Sequence, residues 1–124
     1  MGGSAFEELS HAPVSLEALS AHPIISLGEQ TGTYAFYTHF FSEHCLNFAP
    51  DIEAATADQI LPMVKANLGI GFVPERFVHS EDLGSTVFRI SVAEPIPPRK
   101  IILLHSGHRP QTPAARKLVR FLMQ

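Results

Sequence analysis

Residues 28–34, Gly-Glu-Gln-Thr-Gly-Thr-Tyr, are the stretch of the chain best suited to bind a ligand. An apolar segment precedes them and an aromatic segment follows, which predicts a strand-to-helix turn with backbone amides at the positive end of a helix dipole. Gly28 and Gly32 let a ligand approach the backbone, and neutral donors come from Gln30, Thr31 and Thr33. No lysine or magnesium-binding pattern follows, which argues against a nucleoside triphosphate. The turn predicts a site for a small anion or carboxylate, and an ordinary capped turn is the alternative.

Metal binding has weaker support, although the chain has seven histidines. The closest group is His39, His44 and Cys45. Positions 39 and 44 are five residues apart, about 140° around a helix, whereas ligands on one helix face need a spacing of three or four. His105 and His108 flank the exit of the last predicted strand and would meet only by chance. We therefore expect no metal and no cofactor.

Catalytic patterns are also missing. Cys45 follows His44, but neighbours on a helix point apart and no orienting partner is evident. The two glycines of Gly69–Phe72 end a helix and enter a strand, the reverse of a dinucleotide-binding loop, so we attribute Gly69 to a tight turn. The carboxylates of Glu29, Glu53 and Asp58 are isolated. We predict a protein that is not an enzyme.

The composition narrows the class further. The chain has 124 residues, 45% of them hydrophobic, with a net charge of −3 and no run of Lys and Arg. This length fits one domain or part of a larger one. A negative net charge without a basic run argues against a nucleic-acid-binding surface on this chain. No segment resembles a membrane span or a signal peptide, and a single cysteine fits a reducing cytoplasm. Residues 1–9 are expected to be an expression scar and leader outside the fold.

The pattern along the chain predicts alternating strands and helices. Residues 23–27 predict a buried strand, 33–44 an aromatic helix, and 51–55 a second strand. Thr56 and Gln59 match a capping box for a second helix, with an apolar stripe ending at Leu68 and Gly69 just beyond its end. Pro62 lies inside this helix, so we expect a kink or a late start capped by Asp58.

Three further elements complete the prediction. Residues 69–74 predict a buried strand, 85–92 a strand with one wet face, and 100–106 a fifth strand. Thr112 and Pro113 predict a helix start, and a buried stripe is expected from Leu118, Val119 and Leu122. The order βαβαβ predicts an α/β fold in which the first three strands are parallel and helices cover the sheet.

Several segments resemble one family in the correct order. Residues 51–75, DIEAATADQILPMVKANLGIGFVPE, resemble the effector-binding region of LysR-type transcriptional regulators. Residues 14–27, VSLEALSAHPIISL, and 98–122, PRKIILLHSGHRPQTPAARKLVRFL, are similar to stretches upstream and downstream in that family. Each segment alone is weakly specific, but their order and spacing together are specific.

The resemblance implies a fold and a division of the chain. It implies half of a type II periplasmic-binding-protein-like structure, a three-layer lobe with a mostly parallel sheet. Residues 10–107 would be the second lobe of the effector-binding domain, and 108–124 a C-terminal helix that normally returns to the first lobe. The chain would be a fragment or a truncated form, without most of the first lobe or the N-terminal winged helix-turn-helix.

The resemblance also implies function and site residues. The chain would sense a small-molecule effector, such as a carboxylate or oxyanion, in a cleft between lobes of a cytoplasmic, homo-oligomeric regulator. DNA would be bound only through the missing helix-turn-helix, and the chain would have no membrane partner. Effector contacts would come from the two strand-end turns: Gln30, Thr31, Gly32, Thr33, Tyr34, Ala55 and Thr56. Family members often have glycine at the position of Cys45, so a strained backbone or an extended helix is expected there. A solute-binding domain of a transport system is the alternative function.

Overall fold

The computed structural model describes all 124 residues, which form five short strands and four α-helices. In chain order these are β1 (Gly2–Gly3), α1 (Leu16–Leu19), β2 (Ile24–Leu27), α2 (Gly32–Glu43), β3 (Ile52–Ala54), α3 (Ala57–Lys65), β4 (Ile70–Gly71), β5 (Val87–Phe88) and α4 (Pro113–Leu122). Two 3₁₀ segments, Ser4–Ser10 and Glu75–Phe77, complete the regular structure.

A parallel sheet in the order β3-β2-β4 is the centre of the fold. Strand β2 pairs with β3 from Ile25↔Ile52 to Leu27↔Ala54 and with β4 through Ile24↔Ile70. The predicted α/β class and the parallel arrangement of the first three strands are therefore confirmed.

Helices α2 and α3 contribute to two separate apolar clusters. Ile24 packs in one cluster with Phe40 and Phe41 of α2, and Ile25 packs in the other with Ile60 and Val64 of α3. Because consecutive residues of a strand point to opposite faces, α2 and α3 cover opposite sides of the sheet. The ends of β2 and β3, which lead into α2 and α3, lie at the same edge of the sheet.

The C-terminal ends of α2 and α3 both use a left-handed residue that is not glycine. Cys45 has φ 59°, in agreement with the expected backbone strain, and α2 ends before it at Glu43. In α3 the left-handed residue is Asn67, with φ 60°, so the assignment of Gly69 to the helix end is wrong. Gly69 is needed for close packing instead, because a Cβ there would lie 2.6 Å from the carbonyl oxygen of Pro23. Leu68, predicted in the buried stripe, is 49% exposed.

The start of α3 differs in detail from the predicted capping box. Thr56 is the N-cap residue, but its side chain accepts no capping hydrogen bond. The amide oxygen of Gln59 does reach back, and accepts a 3.1 Å bond from the N–H of Ala55. Pro62 lies within the helix, which already begins at Ala57, so the late start capped by Asp58 is wrong.

The C-terminal quarter of the chain forms its helix but not its strand. Thr112 caps α4 by accepting a 3.2 Å bond from the N–H of Ala115, as predicted. Residues 100–106 form no strand, and Ile101 is fully exposed. The predicted buried stripe of α4 is also wrong, because Leu118 and Leu122 are more than half exposed. A helix is closed by its own hydrogen bonds, whereas a strand needs a neighbour, and residues 100–106 have none.

Residues near the N-terminus pack against the sheet. Strand β1 pairs antiparallel with β5 through Gly2↔Phe88 and Gly3↔Val87, and β5 occupies the centre of the strand predicted at 85–92. Met1 exchanges two 3.0 Å backbone hydrogen bonds with Gly71. Residues that we expected to lie outside the fold thus extend its edge, and the division of the chain at 9 and 107 stays a prediction.

Candidate functional site

The turn between β2 and α2 is organised by Thr31. Its hydroxyl accepts a 3.1 Å bond from the N–H of Tyr34 and donates a 2.8 Å bond to the carbonyl oxygen of Gly28. These contacts make Thr31 the N-cap of α2 and fix the turn. The sequence predicts that the Thr31 hydroxyl donates to a bound anion, but in the structure this hydroxyl already donates its proton to Gly28.

Two backbone donors remain at this end of α2. The N–H groups of Gly32 and Thr33 have no hydrogen-bond acceptor in the protein, as is usual for the first residues of a helix. Gly32 is exposed, and a Cβ at its position would meet no atom within 4 Å. The helix dipole adds a partial positive charge to these amides, so they form an open place for a small anion.

Thr33 is joined to a distant part of the chain. Arg99 donates a 2.7 Å bond from Nη1 to Oγ1 of Thr33, and its guanidinium carbon lies 5.4 Å from the ring centre of Phe36. A permanent positive charge therefore stands beside the first turn of α2. Local sequence patterns gave no sign of it, because 66 residues separate the two partners.

An acidic side chain borders the turn on the β3 side. A Cβ at Gly28 would lie 2.6 Å from Oε1 of Glu53 and 3.0 Å from Nε2 of Gln30, so both side chains lie against this glycine. The register places Ser26 beside Glu53, and the buried hydroxyl of Ser26 has no hydrogen-bond partner. The sequence predicts an isolated carboxylate at Glu53, because the strand pairing that brings it to the turn is not visible in local patterns.

The remaining predicted residues occupy different environments. The ring of Tyr34 is half-buried and packs edge-on against Phe48 at 5.4 Å, so Tyr34 contributes to the core as well as to the turn. Ala55 and Thr56 are exposed just beyond β3. Because Leu27 pairs with Ala54, the turns at 28–34 and 55–56 begin at the same edge of the sheet. This edge holds the carboxyl ends of the strands, where α/β sheets bind ligands.

A cavity of about 880 Å³ lies past the end of β4. Nine of its 15 lining residues are hydrophobic, and its charged residues are three arginines and Glu75. Tyr37 lies in its wall, where burial raises the pKa of the phenol and nearby Arg99 opposes that shift. Burial, and then the charge of Arg89, lowers the pKa of the Met1 amino group to about 6.

The histidines and the cysteine near the end of α2 form no ligand cluster. His39 Nε2 lies 3.4 Å from a carboxylate oxygen of Glu43, and His44 Nδ1 lies 2.8 Å from the carbonyl oxygen of Phe40. Cys45 is exposed, and nowhere does the chain bring together three His, Cys, Asp or Glu side chains that could hold a metal.

A three-stranded parallel sheet with helices on both faces defines an α/β domain, and its two turns lie at the carboxyl edge, where sheets of this class bind ligands. The sequence model of the LysR substrate binding domain matches residues 5–124. The chain therefore belongs to that family, the effector-binding domains of LysR-type regulators, and the resemblance described above is confirmed. No curated protein and no solved structure matches the chain significantly.

Family membership settles the broad class of function. LysR substrate binding domains are regulatory rather than catalytic, and they belong to DNA-binding regulators. The alternative of a transport-associated solute binder is not favoured. None of the helices is both long enough and apolar enough to cross a membrane.

Proposed function

We propose that this chain is the second lobe of a LysR-type effector-binding domain, and that it holds a small anionic metabolite in a cleft between lobes. In this proposal residues 10–107 form the lobe, with residues 1–9 packed along its edge, and 108–124 return to the first lobe. The exposed apolar side chains of 101–104 and α4 support this division, because they would be covered by the first lobe.

The open end of α2 is the observation that carries the proposal. The N–H groups of Gly32 and Thr33 are unpaired at the start of the helix, and Arg99 adds a full positive charge at Thr33. A carboxylate or oxyanion placed here would receive two backbone hydrogen bonds and charge stabilisation. Thr56 has a side chain free of capping bonds at the neighbouring strand end, and is suited to a third contact.

Glu53 limits which anions would fit. Its carboxylate lies against Gly28, the first residue of the turn. A ligand with negative charge on every side would be repelled there, whereas one that offers a hydroxyl or amine to Glu53 would be held. The proposed effector is therefore a carboxylate that also carries a hydrogen-bond donor.

The parent protein would convert this binding into a change at DNA. In the cytoplasm, an effector closing the cleft would favour one arrangement of a homo-oligomer over another, by its difference in affinity for the two. An N-terminal helix-turn-helix outside this chain would make the DNA contacts. The chain itself performs no chemistry in this proposal.

A pair of substitutions at Gly32 tests the site. Proline is well tolerated at the first position of a helix, so Gly32→Pro removes one donor and leaves α2 intact, whereas Gly32→Ala keeps the N–H. Sodium acetate and sodium glycolate serve as probes, followed by amide chemical shifts in NMR titrations. We expect saturable shifts at Thr33 in the wild type and in Gly32→Ala, and a loss of about tenfold in affinity in Gly32→Pro.

Equal affinities in Gly32→Ala and Gly32→Pro would refute the role of these amides. Glu53→Gln separates the two parts of the proposal. It should strengthen acetate binding by removing a repulsion and reduce the preference for glycolate over acetate, because an amide oxygen accepts a weaker hydrogen bond than a carboxylate.

A further inference from the structure

The cavity past β4 has walls that differ from the turn in chemistry. Tyr37 and Phe72 both line it and stack with their ring centres 4.2 Å apart and their planes 22° from parallel, so part of the wall is aromatic. Ile90 and Ile96 are among the apolar side chains that complete it, and Ile96 stays 39% exposed. These walls suit a flat apolar group that would otherwise be surrounded by water.

The charged residues of the cavity are unbalanced. Three arginines, at positions 76, 89 and 99, line it together with a single acid, Glu75. Glu75 is paired with Arg89 at 2.7 Å, and this leaves a net positive charge in a chain whose overall charge is −3. The amino group of Met1, with a pKa near 6, is mostly uncharged at neutral pH and adds little.

From these walls and charges, we propose that the cavity is a second binding site, for an amphipathic organic anion with a flat apolar body and a carboxylate. Its volume of about 880 Å³ lies within the range of sites for small organic ligands. The apolar body would lie against Tyr37 and Phe72, and the carboxylate would meet Arg89 and Arg99. The site is distinct from the turn, although Arg99 borders both.

Other ligands fit the cavity less well. An inorganic anion would satisfy the arginines but leave the aromatic wall in water, and a neutral aromatic compound would leave the arginines without a partner. A metal cation would be repelled by three guanidinium groups. Only a molecule with both an apolar and an anionic part uses all the walls.

Fluorescence anisotropy of 2-naphthoate tests the proposal, with 2-naphthol and acetate as comparison ligands. The wild type should bind 2-naphthoate saturably and about tenfold more tightly than 2-naphthol, because the neutral naphthol has no negative charge to pair with the arginines. Added salt should weaken the binding of 2-naphthoate more than that of 2-naphthol.

Matched variants locate the binding. Ile96→Asp places a negative charge in the cavity wall and should lower the affinity for 2-naphthoate by about tenfold or more. Ile101→Asp makes the same change at a fully exposed isoleucine outside the cavity, and should leave the affinity unchanged. Arg89→Gln should weaken binding, whereas Arg116→Gln on α4 should not.

Three results would overturn the proposal: no saturable binding by the wild type, equal losses in Ile96→Asp and Ile101→Asp, or loss of binding in Gly32→Pro. The last result would place the naphthoate at the turn. Conversely, failure of acetate to bind the turn, with naphthoate still bound, would refute the proposed effector site and leave the cavity site intact. Circular dichroism of each variant checks that the fold is retained.

Discussion

Arg99 and Thr33 are joined by a 2.7 Å hydrogen bond that ties the segment after β5 to the first turn of α2. The guanidinium also lies over the ring of Phe36 and borders the cavity past β4. One side chain therefore stands between the two proposed ligand sites. Its charge is permanent at any physiological pH, so it favours anions at both.

Arg99→Gln is expected to weaken both sites at once. It removes the charge beside Thr33 and one of the three arginines of the cavity, so acetate and 2-naphthoate should each lose affinity by roughly fivefold. The hydrogen bond between Arg99 and Thr33 is exposed, so the free energy of unfolding should change by less than about 0.5 kcal/mol. Ligand titrations and urea unfolding of the same samples measure the two effects.

Thr33→Val is the comparison that separates the sites. It removes the hydroxyl that Arg99 contacts while the arginine keeps its charge, so the cavity should still bind 2-naphthoate. If Arg99→Gln weakened only one of the two ligands, Arg99 would belong to that site alone.

Thr31→Ala is expected to lower the free energy of unfolding by about 1 kcal/mol, because it removes the N-cap of α2. Thr31→Ser keeps the hydroxyl and should retain most of the wild-type free energy of unfolding. Thr56→Ala is a matched control: Thr56 is also an N-cap residue, but its side chain makes no capping bond, so its removal should cost much less. Urea unfolding measures all three, and equal losses at 31 and 56 would contradict the role of the Thr31 hydroxyl.

The sequence predicts those parts of the fold whose causes are local. Strand β2 is mostly apolar, with two consecutive isoleucines, and α4 carries a capping threonine followed by proline, so the sequence predicts both near their observed positions. Residues 100–106 show the limit of such patterns. Their apolar character is that of a strand, but a strand forms only against a neighbour, and the chain offers none there.

The sequence likewise predicts the part of the candidate site that has local causes, but not the part that depends on long-range contacts. Residues 28–34 carry their turn chemistry in consecutive positions, so the location of the turn was evident. Glu53 reaches the turn through strand pairing, and Arg99 reaches it through a contact between residues 66 positions apart in the sequence. No short sequence pattern encodes either contact. The use of the Thr31 hydroxyl within the turn depends on its rotamer, which only the structure gives.

Cys45→Gly is expected to stabilise the protein. Cys45 has φ 59°, and a residue with a Cβ in this left-handed conformation costs roughly 1–2 kcal/mol relative to glycine. The greater freedom of glycine in the unfolded chain offsets part of this gain, so the free energy of unfolding should rise by about 1 kcal/mol. Cys45→Ala keeps the Cβ and removes the thiol, so it should give little change.

Asn67→Gly provides the contrast, because Asn67 has nearly the same backbone conformation but uses its side chain. Its amide oxygen accepts a 2.9 Å bond from the N–H of Ala5, and its nitrogen donates a 3.2 Å bond to Ser4. The loss of these bonds should cancel or exceed the relief of strain. Equal stabilisation by glycine at both positions would show that the Asn67 bonds contribute nothing.

Gly69→Ala is expected to destabilise the protein by about 1–3 kcal/mol, because the new Cβ would collide with backbone. The oxygen of Pro23 would be 2.6 Å away, and it cannot move without disturbing the start of β2. Gly107→Ala is the control, since a Cβ there meets no atom within 4 Å. Thermal unfolding of both variants measures the difference, and a neutral Gly69→Ala would mean that the loop before β4 can shift freely.

Lys65→Met is expected to raise the pKa of the Asp82 carboxyl. Lys65 Nζ donates a 2.8 Å hydrogen bond to Asp82 Oδ2, and this bond is the main cause that holds the pKa of Asp82 below its usual value. A smaller contribution comes from Thr86, whose hydroxyl lies 3.4 Å from the other carboxylate oxygen. A titration of the Asp82 carboxyl carbon by NMR should show the rise, and Lys117→Met on exposed α4 should leave it unchanged.

The Lys65–Asp82 pair also makes the free energy of unfolding depend on pH. Because the pKa of Asp82 is lower in the folded chain than in the unfolded chain, the pair stabilises the fold above the unfolded pKa. Its contribution is lost as the pH falls through the folded pKa. Wild type should therefore be more stable than Lys65→Met at neutral pH, and the two should converge in acid. A difference that persisted in acid would arise from packing of the lysine stem rather than from the ion pair.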